Sequence, residues 1–179
     1  MKTTQILIAG FGGQGILFSG KFLAYKGLVE ELQVSWLPSY GPEMRGGTAN
    51  CNIILSDTPV GSPIITVPDV LIAMNLPSLQ KYVNSVAKGG QIYVDSSLID
   101  LKVERDDVEV FYIPATQMAK DEGIGTLANM IIVGHLLENH PELSFEGTDS
   151  VVEKLVPPKK AALKELNMKA LALGKDYKN

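Results

Sequence analysis

Short apolar runs alternate with helix-like stretches along this chain of 179 residues, and that alternation limits the folds it can adopt. Six runs have the length and composition of strands; they span residues 5–9, 33–37, 48–55, 70–75, 91–95 and 108–113. Helical signals mark residues 13–26, 78–87, a region after Pro114, and 159–173. This order predicts an α/β fold, a three-layer α/β/α sandwich with a mainly parallel, Rossmann-like sheet. Because apolar and polar residues alternate over 48–55, we expect the sheet to be mixed, with an antiparallel or edge strand there.

Three glycine positions predict where helices end. Gly27 is placed to cap the first helix, the pair Gly89–Gly90 follows the second, and Gly174 follows the last. The sequence therefore predicts helices that stop at these residues.

The composition, 45% hydrophobic and 20% charged, is ordinary for a globular protein, and we expect residues 1–179 to form a single domain. A net charge of −4 lacks the basic character of nucleic-acid-binding proteins, so nucleic acid is not expected as a partner. The apolar runs are far shorter than the about 20 residues that cross a bilayer, so no membrane association is expected. Met1 leads into a strand-like segment without a leader pattern, which favours a cytoplasmic location.

Cysteine and histidine give little sign of metal or redox chemistry. Cys51, the single cysteine, cannot form an internal disulfide or supply the thiolates of an iron–sulfur cluster. It lies in an alternating run and is predicted to be a small core residue rather than a nucleophile. His135 and His140 lack the spacing of a metal-binding pair, so no metal site is expected.

The first glycine-rich turn follows the first strand and contains the candidate residues Gly10, Gly12, Gly13, Gln14 and Gly15. The turn satisfies G-x-G-x-x-G between a strand and a helix, a context in which backbone amides can meet a diphosphate. However, no acidic residue lies at the end of the second strand, residues 36–39, to hold a ribose, and the acids Glu30 and Glu31 come before the strand. Three interpretations stay open: close helix–strand packing, phosphate binding, and a subunit interface. We also expect a positive φ at Gly12, which would exclude valine there.

The second turn follows the second strand and supplies further candidate residues: Tyr40, Glu43, Arg45, Gly46 and Gly47. The guanidinium of Arg45 could bind a carboxylate or phosphate of a ligand or a partner. Alternatively, it could pair locally with Glu43, or the tyrosine could anchor a protein interface. Because both turns follow strands that lie one crossover apart, we expect them to share one edge of the sheet.

Read in order, these motifs resemble the gamma subunit of the 2-oxoacid:ferredoxin oxidoreductases. The similarity covers nearly the whole chain and rests on residues 8–15, 39–50 and 71–75 and on the pair Asn129-Met130. The 39–50 motif is similar to the version found in enzymes for 2-oxoglutarate and branched-chain 2-oxoacids such as ketoisovalerate. The stretch 122–126 is the least similar to the family.

This resemblance implies a place in a multisubunit complex. Such complexes decarboxylate a 2-oxoacid oxidatively, reduce ferredoxin and release an acyl-coenzyme A. The resemblance places thiamine diphosphate, Mg and iron–sulfur clusters on partner chains and none of them on this chain alone. It implies docking on alpha and beta subunits and a possible ferredoxin-like delta subunit, with contact to ferredoxin only indirect. It also implies that the glycine turn, and with it Asn129, helps to seat coenzyme A.

Other functions stay open at this stage. The glycine turn alone is compatible with a stand-alone NAD(P)-binding Rossmann oxidoreductase. A pure interaction module without a ligand is a third hypothesis. We assign no catalytic residue, and we expect that the isolated chain could form a homo-oligomer through surfaces meant for its partners.

Overall fold

A computed structural model describes residues 3–40 and 48–178. In this part of the chain six strands form one sheet in the order β2-β3-β1-β4-β5-β6. The strands are β1 (Thr3–Phe11), β2 (Gln33–Tyr40), β3 (Thr48–Ser56), β4 (Val70–Ala73), β5 (Gln91–Asp95) and β6 (Glu109–Ile113). All six predicted strands are present.

The sheet is mixed and mainly parallel, as predicted. β3 pairs antiparallel with both β1 and β2, whereas β1, β4, β5 and β6 run parallel to one another. Ala49 of β3 pairs with Gly10 on one side and with Tyr40 on the other. The ends of β1 and β2 therefore lie at the same edge of the sheet, which confirms the expectation for these two strand ends.

Helices cover both faces of the sheet. They are α1 (Ile16–Val29), α2 (Leu76–Tyr82), α3 (Ala115–Asp121), α4 (Ala128–Asn139), α5 (Thr148–Leu155) and α6 (Ala161–Asp176), with 3₁₀ turns at Val83–Ser85 and Pro158–Lys160. The larger hydrophobic core includes Ile8, Ile53 and Ile131. The smaller one lies on the opposite face of the sheet, where Leu7 and Leu71 belong to the same apolar cluster as residues of α2. The α/β/α arrangement predicted from the sequence is thus confirmed.

The two long C-terminal helices, α4 and α6, approach each other at backbone distance. A Cβ atom added at Gly134 of α4 would overlap the Leu171 carbonyl, and one added at Gly174 of α6 would overlap the Ile131 carbonyl. Glycine at both positions therefore lets the helices pack without intervening side chains. Residues 128–137 are buried throughout, as expected for a helix enclosed on all sides.

Two predicted helix ends were wrong for the same reason. Gly27 lies inside α1, where an added Cβ would come within 2.6 Å of Leu55 and 2.9 Å of Val34. Gly174 likewise lies inside α6, against α4. Both glycines serve close packing, and neither ends its helix.

Other boundaries differ from the prediction because of local backbone conformation. The helical region after Pro114 divides into α3 and α4, separated by Gly123 and Gly125 with φ of 63° and 61°. Helix α2 is shorter than predicted and ends at Tyr82 in a 3₁₀ turn before Gly89–Gly90. Helix α5 was not predicted at all.

Candidate functional site

The glycine turn between β1 and α1 is shaped by two residues in the left-handed region. Gly13 has φ of 95° and Gly15 has φ of 74°. The expected positive φ at Gly12 was wrong, because the positive values in this turn fall on the other two glycines. A Cβ at Gly13 would meet none of the described residues within 4 Å, which leaves room beside this backbone for a ligand or a partner.

Gln14 fills the space between the ends of β1 and β4. Its Oε1 accepts a hydrogen bond from the Phe11 amide at 2.6 Å, and its Nε2 donates one to the Met74 carbonyl at 2.9 Å. The chain leaves β1 toward one side of the sheet and β4 toward the other, so this gap is the switch point where doubly wound folds bind dinucleotides. A side chain that occupies the gap, together with the lack of an acidic residue within β2, disfavours the dinucleotide interpretation.

Asn129 joins the start of α4 to the glycine turn. Its Nδ2 donates to the Gly15 carbonyl at 3.1 Å and to Ser19 Oγ at 2.9 Å. The side chain is buried, and a Cβ on Gly15 would run into its amide. Asn129 therefore holds the turn in place, and the structure brings this predicted residue together with the predicted glycines.

Two cavities flank the turn. The larger, which we name the Lys160 cavity, has a volume of about 310 Å³ and lies between the turn and the start of α6. The smaller, the Met74 cavity, has a volume of about 210 Å³ and lies between the turn, the ends of β4 and β5, and the segment before α4. Gly13 and Thr126 line both cavities.

Within residues 3–40 and 48–178, Lys160 is the one charged residue that lines the larger cavity. It lies near the N-terminus of α1, whose first amides have no intrahelical partners and whose first turn has no acidic residue. Sequence reasoning missed Lys160; the available signal was the Pro157-Pro158 pair, which begins the turn that presents it. Asn167 lines the same cavity and was also missed.

The residues flanking the second turn lie at the same edge of the sheet as the glycine turn. The Tyr40 side chain and residues Glu43, Arg45, Gly46 and Gly47 lie outside the part of the chain that the structure describes. Their predicted roles stay predictions.

Cys51 is a core residue, as predicted. Its side chain is fully buried, and its Sγ lies 3.4 Å from the Ile16 carbonyl. Burial raises the pKa of the thiol to about 12, so the thiol stays protonated at neutral pH.

The two histidines are structural. His135 Nδ1 contacts the Gly174 carbonyl at 3.0 Å, and burial lowers the pKa of this imidazole. His140 Nδ1 accepts a hydrogen bond from the Glu142 amide, and burial lowers its pKa as well. Within residues 3–40 and 48–178, no three histidine, cysteine or carboxylate side chains form a metal-binding group.

The described helices include none with the length and apolar character needed to cross a membrane.

Comparison with known proteins identifies the family. The model of the pyruvate ferredoxin/flavodoxin oxidoreductase (POR) family matches residues 5–177. The chain belongs to this family. Among POR-family relatives, the 2-oxoglutarate synthase subunit KorC of Methanothermobacter marburgensis is 32% identical over 96% of this chain and 95% of its own length. The ketoisovalerate oxidoreductase subunit VorA of the same organism is 32% identical over 98% of this chain but only 37% of its own length.

Solved POR-family structures share the fold. The gamma subunit of a keto/oxoacid ferredoxin oxidoreductase from Geobacter sulfurreducens has a TM-score of 0.80 and 29% identity, with 97% of this chain and 96% of that chain covered. A 2-oxoglutarate:ferredoxin oxidoreductase from Magnetococcus marinus, solved with 2-oxoglutarate, coenzyme A and succinyl-CoA bound, has a TM-score of 0.86 and 25% identity. The match covers 98% of this chain and 31% of that chain. This chain therefore spans about a third of the VorA and Magnetococcus proteins.

Proposed function

We propose that this chain is the accessory gamma subunit of a cytoplasmic 2-oxoacid:ferredoxin oxidoreductase complex. The complex would oxidise 2-oxoglutarate or a branched-chain 2-oxoacid to the acyl-coenzyme A and reduce ferredoxin. The observation that carries this proposal is the end-to-end similarity to KorC, a subunit of 2-oxoglutarate synthase, together with the POR-family match over residues 5–177.

The residues present support an accessory role. The single cysteine is buried in the core, whereas clusters need several thiolates, so iron–sulfur clusters belong on partner chains. We likewise place thiamine diphosphate and Mg²⁺ on the alpha and beta subunits, so that the partner chains hold the cofactors and this chain holds none alone. The described side chains that hold the glycine turn, Gln14 and Asn129, are neutral amides that supply neither an acid–base pair nor an activated nucleophile, which supports a chain that is not catalytic alone.

The carboxyl edge of the sheet is the proposed docking surface for the alpha and beta subunits. Phe11 is the last residue of β1, and Leu76 and Leu98 follow the neighbouring strands β4 and β5; these side chains are 37%, 37% and 49% exposed. Large apolar side chains exposed around an open turn favour a protein interface.

We further propose that the glycine turn helps to seat the diphosphate of coenzyme A. The unpaired amides at the N-terminus of α1 and the ammonium group of Lys160 both favour an anion beside Gly13 and Gly15. The coenzyme A bound in the Magnetococcus enzyme supports this choice of ligand. Asn129 would act by holding the turn, and it would not need to touch the ligand.

The second turn is proposed to contribute to the same edge. Glu43, Arg45, Gly46 and Gly47, with Tyr40, follow a strand end beside the glycine turn, and they would contact either the ligand or a neighbouring subunit. Arg45→Ala is expected to weaken assembly or the use of coenzyme A.

Reconstitution tests the accessory role. The alpha and beta subunits, and the delta subunit where the complex has one, are assayed with and without this chain for coenzyme A-dependent ferredoxin reduction. We expect activity and stable assembly to require the chain. Full activity and normal assembly in its absence would refute the proposed role.

A pair of lysine variants tests the anion site within the same complex. Lys160→Gln removes the charge at the cavity, whereas Lys159→Gln removes a neighbouring exposed charge that does not line it. A charge-assisted hydrogen bond is worth about 1.5–3 kcal/mol, so the KM for coenzyme A should rise about tenfold or more in the first variant only. Equal KM values in the two variants would exclude Lys160 from the site.

A further inference from the structure

Two of the polar side chains that line the Met74 cavity, Gln14 and Thr116, are already paired within the protein. Both ends of the Gln14 amide are bonded to backbone, and Thr116 Oγ1 donates to Asp95 Oδ2 at 2.6 Å. Among the residues that the structure describes, none that lines the cavity is charged. A polar ligand would find few unpaired groups there, so the walls favour an apolar occupant.

The size of the Met74 cavity argues against a cofactor. Its volume of about 210 Å³ is below the about 300–1,000 Å³ of typical small-molecule sites. An occupant that enters this space is closer in size to one large side chain. Pockets of this kind receive the few anchor residues that supply most of the binding energy at protein interfaces.

The cavity is preformed. Gly13 and Gly125 hold opposite walls in left-handed conformations, with φ of 95° and 61°. Gln14 is fixed at both ends, and Met74 at the base is 1% exposed. Because these groups need not reorganise, binding of a partner side chain would lose little conformational entropy.

Three partly exposed apolar side chains at this edge of the sheet, Phe11, Leu76 and Leu98, form what we name the apolar rim. Leu98 lines the cavity and is half-exposed, and Phe11 and Leu76 lie at the ends of the neighbouring strands. In the VorA and Magnetococcus relatives this fold makes up 37% and 31% of a longer chain. KorC is matched over 95% of its own length, so in that relative the fold is a separate subunit, and the region that the longer relatives carry on the same chain would have to come from another one.

We propose that the Met74 cavity is the anchoring pocket for one large apolar side chain, of leucine, methionine or phenylalanine type, carried by the partner chain that corresponds to the remainder of those longer relatives. This inference rests on the proposed function, since it names the contact by which the gamma subunit docks. It adds a specific pocket, distinct from the Lys160 cavity, to the docking edge.

Tagged variants purified from native cells test the pocket. Leu98→Glu places a charge at the entrance, and Leu28→Glu is a matched control at the far end of α1, where the leucine is 56% exposed. Thermal unfolding of each isolated chain checks that the fold is retained. We expect the ratio of partner chain to tagged chain to fall at least tenfold for the Leu98 variant and to stay unchanged for the control.

Crosslinking identifies the occupant directly. A photoreactive amino acid at position 98 should crosslink to a large apolar side chain of the partner, whereas one at position 28 should not. Wild-type binding by a folded Leu98→Glu variant, or crosslinks from position 98 to charged residues or to a second copy of this chain, would overturn the proposed pocket and leave the accessory role standing. A wild-type chain that purifies without a partner would instead refute the proposed function itself.

Discussion

The backbone contact between α4 and α6 can be tested by adding one methyl group at Gly174. The new Cβ would overlap the Ile131 carbonyl oxygen and lie 2.8 Å from the His135 amide nitrogen. Both atoms belong to the α4 backbone, so no side-chain rotation can relieve the overlap. Helix α6 would have to move away from α4.

The cost follows from two opposing effects. Overpacking in a close-packed core costs about 1–3 kcal/mol, and a clash with rigid backbone should lie at the upper end. Alanine is better than glycine inside a helix by about 1 kcal/mol, which offsets part of that cost. Gly174→Ala should therefore lower the free energy of unfolding by about 2 kcal/mol, and lower Tm by about 4–8 °C for a chain of this size.

Urea and thermal unfolding followed by circular dichroism measure this change. The control is Gly61→Ala, where an added Cβ meets nothing within 4 Å and the glycine is not in the left-handed region. Its unfolding free energy should stay within about 0.5 kcal/mol of wild type. The variant Gly134→Ala should be destabilised like Gly174→Ala, and the double variant by less than the sum, because one displacement of α6 relieves both overlaps. A Gly174→Ala chain as stable as wild type would refute the close approach of the helices.

Three further predictions concern the site and the core. Gly13→Ala should cost about 1–2 kcal/mol from its left-handed backbone alone, whereas Gly15→Ala should cost more because it also meets the α4 asparagine; equal urea midpoints would contradict this. Because burial lowers the pKa of His135, the unfolded chain takes up this proton first as pH falls. Stability should therefore drop below about pH 6.5, and His135→Gln should flatten that dependence and leave the part due to His140. Unfolding midpoints of both chains measured from pH 5 to 8 test this, and an unchanged pH dependence in the variant would contradict it. The Cys51 thiol, with its pKa of about 12 and no exposure, should react with a disulfide reagent only as fast as the chain unfolds; rapid labelling of the native protein would disprove its place in the core.

The strands could be predicted because burial on both faces leaves a direct mark in sequence. β4 and β5 are buried at every position. Strands buried on both faces have sequences made largely of consecutive apolar residues. In β3 the half-buried Asn50 and Asn52 alternate with Cys51 and Ile53, which signalled the antiparallel part of the sheet. Strand order has no comparable local signal, since it depends on contacts between distant segments.

Helix ends were harder to predict because glycine occurs both at helix ends and inside helices that pack closely against a neighbouring element. Gly27 and Gly174 were interpreted as caps, yet each lies where another element leaves no room for a side chain. A local pattern cannot distinguish these cases, because the neighbour that fills the space is remote in sequence. The missed α5 did have a signal, the spacing of Val151, Val152 and Leu155 on one face.

The candidate site was predicted in its backbone but not in its chemistry. The glycine turn and Asn129 were identified, and the structure joins them through two hydrogen bonds. The role of Gln14 could not be predicted, since it depends on the carbonyl of Met74, 60 residues away. Lys160 was missed because only the packing of α6 on α4 brings it to the turn.

Gln14 gives the fold a property that nucleotide-binding relatives of this architecture do not need. In dinucleotide-binding proteins of this architecture the ligand lies in the crevice between two such strands. Here the side-chain amide of Gln14 lies in the crevice between β1 and β4 and hydrogen-bonds to the Phe11 amide and the Met74 carbonyl. These hydrogen bonds form within the chain itself, so the β1–β4 junction should be equally stable with and without a bound ligand or partner. Evolution could then substitute surface residues on either side of the turn without changing the strand packing of the sheet.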